Sequence, residues 1–427
     1  MTTPNPLYDD LQWRGLIYQS TDEQIPHILN TPRTVYVGFD PTADSLHIGS
    51  LLGLQVLRRF QQAGHRPVAL VGGATGMIGD PSGKSDERQL LSVDRLRENV
   101  VGIERQMRQF LDFDEGPCQA VLVNNFDWMR RFSFLDFLRD IGKNFPVNVM
   151  MSKESVKNRI SRDGGGISYT EFSYMLLQAY DFVHLQQEFD CSMQLGGSDQ
   201  WGNITAGIDL ARRLHGVQLY GLTWPLLLKS DGTKHGKTEG GSVWLSAERT
   251  SPYKFYQYWI NVDDSDTANC LKFLTELDRE EIQDLEKQVA ESPERNIGQR
   301  RLAEELTRIV HGDAGVKLAQ KATEIMFGGE IGGLSDATLL DIFSQLPSHQ
   351  IDAQKLNDGL SLVEAFVLAG IAKSKGEARR AVEQGGAYVN NRRVQDVNYE
   401  LTQNDLASES VVVLRRGKKS YGLLRIS

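Results

Sequence analysis

The sequence predicts an α/β fold in which a doubly wound parallel sheet comes first, an α-helical segment follows, and a small α+β unit ends the chain. Three observations carry this. From about residue 33, short apolar runs alternate with stretches of 3.6-residue period, the signature of strands and helices wound in turn. From about 250 to 327 the texture becomes charged and rich in Glu, Arg, Lys and Gln. After about 356 a short helical pattern leads into a strand-turn-strand.

The elements follow in order. Val35-Tyr36-Val37-Gly38-Phe39 is a β-rich run, which Asp40-Pro41-Thr42 breaks. Leu46 to Phe60 then places Leu51, Leu54 and Leu57 on one helical face. Pro67-Val68-Ala69-Leu70-Val71 is almost wholly apolar, as in a strand buried on both faces of a parallel sheet. Ala120-Val121-Leu122-Val123 reads as a third strand. The expected domains are 1–249, with an insertion at about 125–185 and a mobile lysine loop at 229–241; a helical domain at 250–327; a Gly/Ser-punctuated linker at 328–355; and the small unit at 356–427. Ligands of such sheets bind at the carboxyl ends of the strands.

Composition narrows the function class. With 427 residues, 40% hydrophobic and 24% charged, the chain can bury a sizeable core. Cys118, Cys191 and Cys270 are odd in number and form no CxxC pair, so neither a disulfide framework nor a thiolate zinc site is expected. Apolar runs are too short to cross a bilayer, and Met1-Thr2-Thr3-Pro4-Asn5-Pro6 has neither the basic start nor the apolar stretch of a signal peptide. A cytoplasmic protein without a membrane partner is expected. The net charge of −9 argues against a protein coated in nucleic acid, but leaves room for a local basic surface.

Two familiar phosphate-binding patterns fail on spacing. Gly79-Asp80-Pro81-Ser82-Gly83-Lys84-Ser85 has three residues between its glycines where a P-loop needs four, and Gly73 to Gly79 does not match G-x-G-x-x-G. Taken alone, those glycines suit a tight turn as well as a ligand loop. Thr42-Ala43-Asp44-Ser45-Leu46-His47-Ile48-Gly49-Ser50 is stronger: it follows a strand and opens a helix, where free N–H groups and the dipole attract anions. His47 and Thr42 add donors there, and Gly49 leaves room for adenine, although a lone histidine here would more often be a helix cap. Downstream, Lys229-Ser230-Asp231-Gly232-Thr233-Lys234-His235-Gly236-Lys237-Thr238-Glu239-Gly240-Gly241 spaces two lysines three apart in a Gly-rich loop, which suits a pyrophosphate leaving group, although alone it reads as an ordinary exposed turn.

A third constellation lies between these. Ser168-Tyr169-Thr170-Glu171 has the form of a helix capping box. The helix it opens carries Phe172, Met175, Leu176 and Ala179 on one face and Tyr174, Gln178 and Asp181 on another. Such a polar stripe is usually solvated. This one lacks lysine and arginine, and the polar cluster Gly196-Gly197-Ser198-Asp199-Gln200-Trp201-Gly202-Asn203 follows it, which favours a pocket.

His47-Ile48-Gly49-Ser50 and Lys234-His235-Gly236-Lys237-Thr238 resemble the HIGH and KMSKS motifs of class I aminoacyl-tRNA synthetases, in the order and separation of that class. Tyr36 to His47, the Tyr174/Gln178/Asp181 set and Leu195 to Asn203 resemble bacterial tyrosyl-tRNA synthetases, and the likeness runs over essentially the whole chain. The resemblance implies a Rossmann-like catalytic domain and a tyrosine–tRNA ligase that uses ATP, carrying Mg²⁺, with no zinc. By position, Tyr36 and Asp181 would bind the substrate phenol; Tyr174, Gln178 and Asp80 its ammonium; and Gln200 would lie near its carboxylate. Gly38, Asp40, His47, Gly49, Ser50, Gly197, Asp199 and Lys237 would serve ATP, with Asp199 on the ribose and Asp40 near the α-phosphate. Thr42, His47, Lys84, Arg88, Lys234, Lys237 and Thr238 would grip the β/γ-phosphates. A pocket that hydrogen-bonds a phenol rejects phenylalanine by leaving its own groups unpaired; this family is the standard instance, at about 10⁵ without editing. A tryptophan-specific relative would have no use for two phenol partners.

Two positions depart from the family pattern. Ser50 stands where the first motif usually ends in histidine, and His235 where the second usually has a large apolar residue. Ser50 alone supports the alternative of a catalytically impaired paralogue that acts as an RNA-binding protein.

At the C-terminal end Ser374-Lys375-Gly376-Glu377 again reads as a capping box, Gly385-Gly386 ends its helix, and Tyr388 to Val394 reads as strand-turn-strand. Between 371 and 393 the six cations Lys373, Lys375, Arg379, Arg380, Arg392 and Arg393 face two glutamates, and Arg415-Arg416-Gly417-Lys418-Lys419 adds four more. Basic residues alone are as often a solvated face. The segment resembles an S4-type RNA-binding domain, which recognises folded RNA by shape and phosphate contacts. The family likeness further implies tRNA(Tyr) as substrate, an anticodon-contacting domain at 250–327, and a homodimer formed through the insertion around 130–170.

Overall fold

The computed structural model describes residues 5–82, 91–161, 166–238, 241–344, 346–418 and 420–427. The chain forms two compact units, residues 1–250 with 259–310, and 251–258 with 311–427. This differs from the three domains expected. The helical stretch 259–310 packs with the sheet because buried Arg14 donates to the carbonyl oxygens of Lys272 at 3.0 Å and Leu277 at 2.7 Å, and Arg59 donates to that of Thr275. A guanidinium fills the otherwise unmet acceptors of the turn that ends a helix.

The first unit is built on six strands: β1 (Gln19–Ser20), β2 (Thr34–Phe39), β3 (Arg66–Val71), β4 (Val121–Asn124), β5 (Cys191–Gly197) and β6 (Tyr220–Trp224). Their order is β1-β6-β5-β2-β3-β4, parallel throughout except for the edge strand β1. Tyr36 sits between Val68 and Gln194, and Gly38 beside Leu70. The winding reverses between β2 and β5, so a crevice opens at the carboxyl ends of those two strands. The helix Ile48–Gln62 returns from β2, and Leu51, Leu52, Leu54, Val56, Leu57 and Phe60 on it are buried. The helix Tyr169–Phe189 is capped by the Ser168 hydroxyl, which accepts from the Glu171 N–H at 3.2 Å, and ends at Asp190 in the left-handed region. Glu171 is buried in the first turn of this helix. Its carboxylate is taken by buried Arg159 at 2.8 Å, which ties the insertion to this helix.

A two-residue ladder joins β7 (Lys237–Thr238) to β8 (Gly241–Ser242). In the second unit β9 (Ser348–Ile351) runs parallel to the last strand, and β10 (Leu360–Ser361) pairs with β13 (Glu400–Leu401). The main sheet has the order β12 (Arg392–Val394), β11 (Ala387–Val389), β14 (Val411–Arg416), β15 (Ser420–Ile426), β9. Asn390 and Asn391 turn the β11–β12 hairpin with φ of 49° and 64°, the two positive values a type I′ turn needs. Phe366, Ala378, Val382, Val412, Leu414 and Leu424 form its core. The stretch 328–355, expected as a linker, carries the helix Asp336–Ile342 and buries Ile331, Leu339, Ile342 and Phe343 against Tyr421 and Leu423. Apolar residues spaced through a Gly/Ser-rich stretch were enough to fold it. Among the described residues no helix is long and apolar enough to cross a membrane.

Candidate active site

A cavity of about 640 Å³ opens at the switch between β2 and β5. Its walls bring together Tyr36, Gly38, Asp40, Thr42, His47, Gly49, Ser50, Asp80, Tyr174, Gln178, Asp181, Gly197, Asp199, Gln200, Lys234 and Lys237, residues drawn from 36 to 237 of the chain.

The inner end is built around Asp181, which is 1% exposed. Its Oδ1 accepts the Trp128 indole N–H at 2.8 Å, and Oδ2 accepts an amide N–H of Asn125 at 3.0 Å. Burial raises the Asp181 carboxyl to about 7, against the two donors, which favour its charged form. Beside it the Tyr36 hydroxyl is buried and meets no hydrogen-bond partner among the described residues. Burial, with Asp181 adding to it, pushes that phenol well above its usual range, so it stays protonated. A buried hydroxyl without a partner is costly unless a ligand supplies one.

The middle of the cavity is a closed polar network. Tyr174 donates its hydroxyl to Asp40 Oδ2 at 3.1 Å, and the Thr75 hydroxyl donates to Oδ1 at 2.9 Å. Gly72 permits this approach, because a Cβ there would lie 2.2 Å from Asp40 Oδ1. Gln178 donates to Gln200 Oε1 at 3.1 Å, Gln200 donates to Asp80 Oδ2 at 2.7 Å, and Asn203 donates to Gln178 Oε1 at 3.0 Å. Two acidic groups and the amides of Gln178 and Gln200 thus line the wall, with Asn203 holding Gln178 from behind.

At the outer end His47 caps the 48–62 helix, its Nδ1 accepting the Gly49 N–H at 3.0 Å. A neutral imidazole so used carries its proton on Nε2, as a donor. The open amides expected at this helix start are absent. Ile48 donates to the Val243 carbonyl oxygen, Gly49 to His47 Nδ1, and Ser50 and Leu51 to the His47 carbonyl oxygen. Capping satisfied them, so an anion here meets the helix dipole and the imidazole rather than bare N–H groups. Asp199 is half-buried; burial and then Asp80 raise its carboxyl, while Lys234 pulls it down. Lys84 and Arg88 lie outside the described residues, as does the Thr238 side chain.

Sequence reasoning missed Thr75, Asn125 and Trp128, and it quoted Asn203 without a role. The signal was available for Asn125, which follows β4 at the sheet's ligand edge. Nothing in the local pattern marked Trp128.

In the second unit Lys373, Lys375, Arg379, Arg380, Arg392 and Arg393 are all exposed. They are not equally available. Lys375 pairs with Glu364 at 3.3 Å, Arg392 with Glu330, and Arg393 donates across Gly385 to its carbonyl oxygen at 2.8 Å. Arg415, counted among the surface cations, is instead buried, with its guanidinium 3.8 Å from the Tyr388 ring centroid.

Comparison with known proteins shows the family. A family model described as tRNA synthetases class I (W and Y) matches residues 29–328, and one described as a tyrosine–tRNA ligase SYY-like C-terminal domain matches 338–424. A tyrosine–tRNA ligase of Rhodopirellula baltica is 59% identical over 100% of this chain and 98% of its own. The chain belongs to the class I tyrosyl-tRNA synthetases. Another member of the family, from Roseiflexus castenholzii, is 52% identical over the full length of both chains. Among solved structures, a C-terminally truncated mitochondrial tyrosyl-tRNA synthetase of Aspergillus nidulans superposes with a TM-score of 0.67 at 27% identity, covering 75% of this chain and 94% of its own. A tryptophanyl-tRNA synthetase of Encephalitozoon cuniculi shares the fold, at a TM-score of 0.53 and 13% identity over 73% of this chain and 87% of its own.

Proposed function

We propose that the cavity activates L-tyrosine with ATP and passes the tyrosyl group to the 3′-terminal adenosine of tRNA(Tyr). One observation carries the choice of tyrosine: a buried carboxylate stands beside a buried phenol that has no partner among the described residues, at the inner end of the cavity. A substrate hydroxyl there donates to Asp181 and accepts from Tyr36. Phenylalanine would leave both unpaired. Tyr174, Gln178 and Asp80 receive the ammonium, since their wall offers acceptors. Gln200 then faces the carboxylate.

In the first step a carboxylate oxygen of tyrosine attacks the α-phosphorus. The bond to the α,β-bridging oxygen breaks, and pyrophosphate leaves with the Mg²⁺ that ATP brings. Among the described residues no group of three His, Cys, Asp or Glu side chains is arranged to hold a metal ion. Lys234, Lys237 and the His47 Nε2–H meet the growing charge of the leaving group, with Thr42, Thr238, Lys84 and Arg88 as further donors. Gly38, Gly49 and Ser50 bound the nucleotide, Gly197 lets Asp199 reach its ribose, and Asp40 faces the α-phosphate. In the second step a ribose hydroxyl of the tRNA attacks the acyl carbon and AMP departs.

The domain at 356–427 is read as S4-like, with Lys373, Arg379 and Arg380 as its leading RNA contacts, and the helices of 250–327 as anticodon-contacting. Dimerisation through the insertion is supported by Phe134, Leu135, Val147, Val149, Met151, Ile160 and Tyr169, seven of the thirteen exposed large apolar side chains among the described residues. Tyrosine-dependent ATP–pyrophosphate exchange, with phenylalanine and tryptophan alongside, tests the reading. Exchange with tyrosine alone supports it, and exchange with none of the three returns the impaired-paralogue reading that Ser50 suggests.

A further inference from the structure

Within the lysine loop, His235 borders the cavity but is buried rather than open to it. It is 6% exposed, while Lys234 and Lys237 on either side are exposed and line the cavity wall. Its imidazole lies nearly parallel to the Trp259 ring, at 21° and 6.3 Å between centroids. Nε2 is 3.6 Å from Asp266 Oδ2 and 3.8 Å from Cys270 Sγ, both on the helix Asp264–Leu274. The other oxygen of Asp266 accepts the Ser230 N–H at 2.9 Å. One carboxylate therefore touches the loop at two points five residues apart.

The backbone on each side of the imidazole is fixed as well. His235 donates its N–H to the Leu227 carbonyl oxygen at 3.0 Å, and the Gly236 carbonyl oxygen accepts the Val243 N–H at 2.7 Å. Gly236 has φ of 82°, and a Cβ there would stand 2.9 Å from that of Ile48, at the start of the helix that His47 caps. The dipeptide His235-Gly236 is thus wedged between two helices, with one lysine leaving on each side.

We propose that His235 is a positioning residue for tyrosine activation: its uncharged imidazole, seated between Trp259, Cys270 and Asp266, sets where Lys234 and Lys237 stand over the leaving pyrophosphate. The proposal rests on the activation reading above. An uncharged ring suits the seat. Burial lowers the imidazole and Lys229 lowers it further, while Asp266, Asp231 and Asp263 act in the opposite direction. The Cys270 thiol, pushed well up by burial, stays protonated beside it. Asp266 would draw a proton to the ring, but burial outweighs it and disfavours the charged form, so the loop is expected to leave its seat as the pH falls below the ordinary imidazole range.

The test is pyrophosphate exchange at saturating tyrosine and ATP, with His235→Ala and His235→Phe beside the unaltered protein, from pH 5.5 to 8.5. Tyrosine binding and thermal melting are followed in parallel. At pH 8 the alanine variant should lose about 100-fold in kcat, the cost of misplacing a catalytic group by about 1 Å, with tyrosine affinity unchanged. Phenylalanine, a flat ring of similar volume, should restore most of that rate. It should also lack the acidic decline in kcat that the unaltered protein shows. An alanine variant with full kcat overturns the proposal, as does a phenylalanine variant that keeps the acidic decline. Parallel loss of kcat, tyrosine affinity and melting temperature overturns it too, by showing a merely structural role. Absence of exchange in the unaltered protein would instead defeat the activation reading itself.

Discussion

The Trp128 indole N–H points at Oδ1 of Asp181 from 2.8 Å, and it comes from a helical turn 53 residues earlier in the chain. With Asn125 on the other oxygen, the carboxylate is oriented before any substrate arrives. Asp181→Asn would set an amide N–H against one of these donors and should destabilise the fold by about 1–3 kcal/mol at pH 5. That gap should narrow with rising pH. The carboxyl sits at about 7 folded against 3.8 in the open chain. Its contribution is therefore full below about 4 and is lost as the pH climbs through 7. Thermal melts of both proteins from pH 5 to 8 check this, and parallel curves would contradict it.

Tyr36→Phe separates stability from binding. The hydroxyl it removes is buried and has no partner among the described residues, so the variant should melt at the same temperature or higher. The KM for tyrosine should rise roughly threefold to tenfold, the worth of one hydrogen bond. Calorimetry of the free protein beside exchange kinetics reads both effects, and a lower melting temperature would show that the hydroxyl has a partner within the fold.

Lys237→Ala should act on the transition state alone. Loss of one preorganised cation facing the leaving group should lower the exchange kcat by about 100-fold or more, with tyrosine affinity within error of the unaltered protein. Equal losses in both would remove Lys237 from the pyrophosphate role.

For the second unit, the double variant Arg379→Glu, Arg380→Glu should raise the KM for tRNA by about tenfold or more in 0.15 M salt, and the defect should grow as salt is lowered. Pyrophosphate exchange needs no tRNA and should not change. Aminoacylation assays at two salt concentrations measure this, and an unchanged KM would place the RNA contacts elsewhere.

The sheet was legible because β2 and β3 are buried on both faces and therefore read as continuous apolar runs. Tyr174, Gln178 and Asp181 were legible because a helix with no lysine on its polar stripe is unusual. Trp128 was not, since its indole looks like any core aromatic until the fold turns it toward Asp181. The N–H groups before Leu51 misled for a related reason: a helix start after a strand promises open donors, but His47 and Val243 had already taken them. The connector at 328–355 escaped because its apolar residues gain their value only against Tyr421 and Leu423, strands that lie far ahead in sequence.

The thiol beneath His235 offers a clock. Cys191 and Cys270 are fully buried and Cys118 partly exposed, and all three are free. A thiol reagent added to the folded protein should therefore modify Cys118 at once. It should reach Cys270 only when the imidazole lifts away. The slow modification of Cys270, read separately from that of Cys191 by peptide mapping, reports openings of the lysine loop without substrate or turnover. ATP that draws the loop down should stretch the interval, and acid should shorten it.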